Sequence, residues 1–221
     1  MRVLVTGAYG LIGSACLARL HRDGHELTAA GRTIRDARVR FPYARWIEAD
    51  FHRLTTPDEW APLIAGVDAM VNCVGALQDG ARDDLRRVQV AGTVALFAAC
   101  ERTGVRRVVH ISAVGAEPQG PTEFARSKAE AEADLMARDL DWVILRPALV
   151  LGPSAYGGTA LLRGLAALPL VTPLTIPDAR LQVIAADDLA EVVARALARD
   201  APAKVRWDVA HPDVHTLAKI V

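Results

Sequence analysis

Apolar residues fall along the chain in two alternating rhythms, short continuous runs and longer segments with helical spacing. Val3-Leu4-Val5, Glu26 to Ala30, Arg45 to Glu48, Val67 to Val74, Arg107 to Ser112 and Trp142 to Arg146 read as strands. Between them, Leu11 to Arg22 places Ile12, Cys16, Leu17 and Leu20 on one helical face. A short helix is expected over Pro57 to Ala65, capped by Thr56. Two longer helices are expected, Arg82 to Thr103, stopped by Gly104, and Pro121 to Asp139. Strands that are apolar throughout are covered on both faces, as in a parallel sheet. The order predicts an α/β fold: a doubly wound, mostly parallel Rossmann-type sheet over residues 1–150.

The last third changes character. From Gly152 onward Gly and Pro are more frequent. A helix is expected near Ala160 to Leu168, a strand at Leu181 to Ala185, and a helix at Leu189 to Ala198 capped by Asp187 or Asp188. A strand follows at Lys204 to Val209, then a helix from about His215. Residues 151–221 are read as a smaller substrate-side region. Its final helix stops about two turns in, too short to hold alone, so a continuation beyond Val221 is expected.

Composition narrows the function classes. Apolar residues make up 52% and charged residues 24%, enough core and too little charge for disorder. Lys plus Arg and Asp plus Glu are 26 each, so the balance does not call for nucleic acid. Apolar runs are too short for a membrane span, and no signal peptide is read at the start. Three separated cysteines in apolar stretches fit reduced thiols in the cytoplasm. His211 and His215 have Pro212 between them and no third ligand nearby, so no metal site is expected.

The chemistry begins at Thr6-Gly7-Ala8-Tyr9-Gly10-Leu11-Ile12-Gly13. These glycines follow a strand and open a helix, the context in which a glycine turn holds a pyrophosphate. Gly7 permits the turn, Gly10 lets backbone N–H groups approach the phosphates, and Gly13 lets the helix pack on the strand. The helix N-terminus adds donors and the positive end of its dipole. After the second strand the chain reads Gly31-Arg32, where an NAD-selective site often has an acidic residue for the ribose hydroxyls. A guanidinium there can instead meet a 2′-phosphate, so NADP(H) is expected over NAD(H).

Together these segments resemble the extended or atypical branch of the short-chain dehydrogenase/reductase superfamily. That branch includes nucleotide-sugar epimerases, NmrA-like proteins and the NAD(P)-binding subunit of respiratory complex I. The resemblance implies cofactor contacts by the glycine turn (Gly7, Tyr9, Gly10, Leu11, Ile12, Gly13), by Arg32, and by Asp50 and Phe51 near the adenine. It adds Cys73, Val74 and Gly75 at the end of the fourth strand, and Ser112 at the end of the fifth. Lys128 is placed on the nicotinamide ribose, and Pro147, Leu149 and Val150 lie in a segment similar to RPxxVxGP.

One position departs from the pattern. The superfamily carries YxxxK, in which the lysine lowers the pKa of a tyrosine that exchanges the proton accompanying hydride transfer. Here the segment is Phe124-Ala125-Arg126-Ser127-Lys128, and phenylalanine has no proton to give. Ser112 and Tyr156 are the alternative hydroxyls considered. Two functions remain. One is an NADP-dependent oxidoreductase or epimerase-like enzyme with another proton donor and an unnamed small-molecule substrate. The other is a non-catalytic NADP(H)-binding sensor or structural subunit. A homodimer or a fused C-terminal domain is compatible with either.

Overall fold

The computed structural model describes residues 1–76, 84–153, 164, 166–167 and 176–220. Its main sheet has seven strands: β1 (Arg2–Thr6), β2 (Glu26–Gly31), β3 (Arg45–Glu48), β4 (Ala69–Asn72), β5 (Arg107–Ile111), β6 (Asp141–Pro147) and β9 (Val205–Val209). They are ordered β3-β2-β1-β4-β5-β6-β9, and every pair is parallel. The order reverses between β1 and β4, the switch point at which open α/β sheets bind ligands. A second, three-stranded sheet is ordered β10-β8-β7, from β7 (Leu149–Leu151), β8 (Arg180–Ala185) and β10 (Val214–Thr216).

Helices cover both faces. On one side α1 (Leu11–Arg22) packs beside α6 (Ala186–Ala196). Their apolar faces meet in a core with Val3, Val5, Leu17, Leu189 and Val193. Arg19 ties the two helices together through Glu191. On the other side α4 (Thr93–Thr103) and α5 (Glu123–Met136) lie over Leu4, Met70, Val108 and Ile144. This alternation along each strand is what a parallel sheet buried on both faces demands. β9 and α6 both come from beyond residue 150 and belong to the main sheet and its covering layer.

Several elements differ from their expected form. The helix expected over Arg82 to Thr103 has a π-helical stretch at Arg87–Gly92 before α4 begins. There Thr93 Oγ1 donates to Val88 O at 2.9 Å, and Gly92 lies against the backbone of Phe51. Helix α3 is limited to Pro57–Trp60, with Glu59 accepting from the Thr56 N–H. Asp187 and Asp188 sit in the first turn of α6 rather than at its cap, which is Ala185. There they favour the dipole without closing a cap bond. His215 lies in β10, and the last helix, α7, runs Leu217–Ile220. Antiparallel pairing of His215 with Leu181 takes the residues that helical spacing assigned to a turn. The helix expected near Ala160 to Leu168 falls almost entirely outside the described residues, as does Tyr156. No helix among the described residues is long and apolar enough to cross a membrane.

Candidate functional site

Because all seven strands run the same way, their C-terminal ends form one edge. The expected site residues gather along it. Gly7 to Gly13 form the turn from β1 into α1, Arg32 follows β2, and Asp50 and Phe51 follow β3. Cys73, Val74 and Gly75 follow β4, and Ser112 follows β5. Pro147 ends β6, while Leu149 and Val150 lie in β7.

The glycine turn is shaped by backbone contacts. Gly7 has φ +63°, where an L side chain is strained, and its Cβ would lie 2.8 Å from Cys73 O. A Cβ on Gly13 would lie 2.2 Å from Gly7 O, so helix and turn can approach only with glycine there. The turn closes with Gly10 N donating to Gly7 O at 3.0 Å. Helix α1 begins without a side-chain cap bond and without an acidic residue in its first turn. Its N-terminal end therefore presents N–H donors and a positive field that an anionic pyrophosphate satisfies. Leu11 approaches Gly152, which brings the segment after β7 beside the turn.

A buried polar row crosses the sheet below this edge. Thr6, Asn72 and His110 are register neighbours on β1, β4 and β5. Thr6 Oγ1 donates to Asn72 Oδ1 at 2.6 Å, and the same oxygen accepts from Val74 N at 3.1 Å. That leaves the Asn72 amide to donate to His110 Nδ1 at 3.2 Å. The imidazole proton then belongs on Nε2, which has no hydrogen-bond partner among the described residues, and the ring meets Phe97 edge-on with centroids 5.3 Å apart. Burial, with the nearby Lys128 charge, holds His110 well below its ordinary pKa, so it is neutral. The row fixes the backbone after β4, where Cys73 to Gly75 meet the ligand edge.

Lys128 completes the site from α5. Thr122 caps that helix by accepting from Ala125 N at 3.1 Å. Lys128 is buried, and its Nζ donates to Ile111 O at 2.9 Å. A Cβ on Gly75 would stand 3.3 Å from that Nζ, so the ammonium lies directly against the β4 end. Burial lowers Lys128 to about 8, partly offset by the charge of Glu132. Glu132, one turn on, accepts from Arg146 Nε and an Arg146 terminal nitrogen at 2.9 and 2.7 Å. This buried ion pair locks α5 to the end of β6.

Ser112 Oγ is buried with no hydrogen-bond partner among the described residues. It lies one residue past Ile111, whose carbonyl receives the Lys128 bond. Phe124 is half-buried one turn before Lys128. Tyr9 and Arg32 both lie at the β1–β2 end of this edge, Arg32 exposed and Tyr9 half-buried. Asp50 accepts from His52 N at 3.1 Å. Phe51 is buried edge-on to Trp60 at 4.9 Å between centroids, so its ring belongs to the core.

A further polar residue reaches the same edge from the π-helical stretch. Gln89 is buried in the π-helical stretch, and its Nε2 donates to Ala76 O at 2.7 Å. Its Oε1 has no partner among the described residues. A lone glutamine inside a helical run carries no signal, but π turns concentrate at functional sites, and this one points a polar group toward the β4 end.

A parallel sheet with its switch point at a glycine turn, bordered by a buried lysine, defines a Rossmann-type dinucleotide-binding scaffold. The chain belongs to the NAD(P)H-binding family, whose model matches residues 7–200. It is 32% identical over 174 residues to sterol demethylase protein B of Methylococcus capsulatus, covering 69% of this chain and 52% of that protein. It is 34% identical over 183 residues to a UDP-glucose 4-epimerase of Mycolicibacterium smegmatis, covering 69% and 57%. Among solved structures it resembles the Thermus thermophilus UDP-glucose 4-epimerase in complex with NAD. The TM-score is 0.81 at 22% identity, over 100% of this chain and 81% of that one, a likeness of fold. The chain spans about half the length of the first curated relative and a fifth of a longer Mycobacterium tuberculosis protein.

Proposed function

We propose that this chain binds NADP(H) and transfers hydride to or from a small-molecule carbonyl or alcohol without a tyrosine proton donor. The observation that carries the reading is Lys128, buried at the cofactor edge and held near the pH range in which it can gain or lose a proton. The glycine turn fits the pyrophosphate: a Cβ would fill the space at Gly7 and Gly13, and α1 opens uncapped toward the phosphates. Arg32, directly after the strand end at which an acidic residue would favour NAD, supports the choice of NADP(H). The bound cofactor would supply or take up the hydride, and solvent water would supply or take up the accompanying proton. Lys128 would hold the nicotinamide ribose, Cys73 to Gly75 would back it, and Ser112 would offer its hydroxyl to the substrate oxygen. Relatives named as a reductase and an epimerase support a redox role. The three free cysteines fit a cytoplasmic setting.

Phe124 favours a second reading, a sensor or subunit that retains the cofactor and has lost the chemistry. Parallel thermal-shift titrations with NADPH, NADP⁺, NADH and NAD⁺ test the cofactor. NADPH at about 100 times its Kd is expected to stabilise the fold by roughly 2.7 kcal/mol, with NADH well behind. A larger shift with NADH would overturn the NADP(H) reading.

A further inference from the structure

The end of β2 is shaped by a contact between two residues far apart in sequence. A Cβ placed on Gly31 would stand 2.3 Å from Tyr9 Cε1, 2.8 Å from Cδ1 and 3.3 Å from Cζ. The Tyr9 ring therefore already lies where a side chain at position 31 would begin. It is held there by stacking on Trp46 of β3, with centroids 6.4 Å apart and planes 22° apart. Trp46 is itself fixed, buried and donating from Nε1 to Phe41 O at 3.1 Å. Displacing the tyrosine thus breaks an aromatic stack as well as moving one side chain. Gly31 is buried, and the residue after it, Arg32, is exposed beside the same edge.

Position 31 is the last residue of the second strand, where an acidic side chain would accept from both ribose hydroxyls and repel a 2′-phosphate. A carboxylate cannot enter here while the ring is in place. We propose that Tyr9 and Gly31 form a steric pair that sets which adenosine ribose the chain accepts. The tyrosine ring takes the volume of the side chain at 31, excludes a carboxylate, and leaves the 2′ position to the guanidinium of Arg32. The ligand class is a dinucleotide phosphorylated on its adenosine ribose. This inference rests on the NADP(H) reading and adds the residue that enforces it.

A double-mutant cycle tests it. Gly31→Asp, Tyr9→Ala and the double variant are compared with the parent for NADPH and NADH affinity and for thermal midpoint. Gly31→Asp alone is expected to lower the midpoint and to weaken both cofactors at least tenfold, because the new side chain dislodges the ring. Tyr9→Ala alone keeps the preference for NADPH. The double variant regains midpoint relative to Gly31→Asp and prefers NADH by tenfold or more. If Gly31→Asp does not fold, Gly31→Ala meets the same ring with a single methyl group, and its midpoint should be restored by Tyr9→Ala. Additive midpoints, or a Gly31→Asp variant that prefers NADH with its midpoint unchanged, would overturn the pairing. A parent that prefers NADH overturns the NADP(H) reading, and with it the ligand assigned to the pair. Additivity in a parent that prefers NADPH overturns the pairing alone.

Discussion

The two ends of the ligand edge are built on different principles. At the β1–α1 turn the structure is made by backbone: Gly7 at φ +63°, Gly13 against Gly7 O, and a helix terminus with its donors exposed to a ligand. At the β5–α5 end it is made by side chains: Lys128 on Ile111 O, Ser112 Oγ without a hydrogen-bond partner among the described residues, and Phe124 one turn away. Binding a pyrophosphate needs shape and N–H groups, which many side chains leave undisturbed provided the glycines stay. Moving a proton needs one particular functional group. A single substitution can therefore alter the chemistry while the cofactor cradle keeps its form.

The largest effect should come from breaking the backbone end. Gly13→Val drives a branched side chain into the Gly7 carbonyl, where no flexible group can yield. A loss of about 3 kcal/mol or more is expected in urea unfolding, with the NADPH-dependent thermal shift abolished. A variant that keeps the parent's thermal shift would mean that the turn does not hold the phosphates.

At the other end, Lys128→Met removes a buried charge. In the folded chain Lys128 titrates near 8, below its ordinary value of 10.5. Between those values the unfolded chain binds more protons, so stability contributed through this group rises with pH across that window. Below pH 8 the buried ammonium costs on the order of 3 kcal/mol at most, reduced by its bond to Ile111 O. Lys128→Met should therefore be the more stable protein at pH 7, and its advantage should shrink towards pH 10. Cofactor affinity should behave oppositely. In the parent it falls as pH rises through about 8 and the ammonium loses its charge, and in the variant it is weaker and flat. Equal pH profiles for parent and variant would contradict the placement of Lys128 against the cofactor.

The gentlest change is Phe124→Tyr, which adds one oxygen to a half-buried ring. Stability should move by less than about 0.5 kcal/mol. With a panel of small aldehydes and ketones, NADPH oxidation should rise about 100-fold, the lower end of what a positioned general acid contributes. An unchanged rate would mean that substrate or lysine is not aligned with position 124, and would favour the sensor reading.

How much was legible in the chain depends on how local each feature is. α1 at Leu11–Arg22 and β3 at Arg45–Glu48 coincide with their expected bounds, and Gly104 ends α4 at φ +80°, because periodicity and a left-handed cap are short-range properties. The π-helical stretch at Arg87–Gly92 was not legible, since its marks are a polar group reaching Ala76 and a glycine lying against Phe51, both distant in sequence. His215 and Thr216 of β10 fall in a segment expected to be helix, because three residues carry too little pattern to announce a partner strand. β9 was legible as a strand, but not its place beside β6.

By itself the sequence determined the βα alternation, the glycine turn, the cation after β2 and the phenylalanine four residues before Lys128. All of these are properties of residue type and short spacing. Tertiary structure alone decided that Tyr9 fills the space above Gly31, that Thr6, Asn72 and His110 join in one buried row, and that Lys128 titrates near 8. Those features depend on burial and on which distant groups meet. Both are set by how the strands are ordered in the sheet, and strand order is not written in the spacing of any one segment.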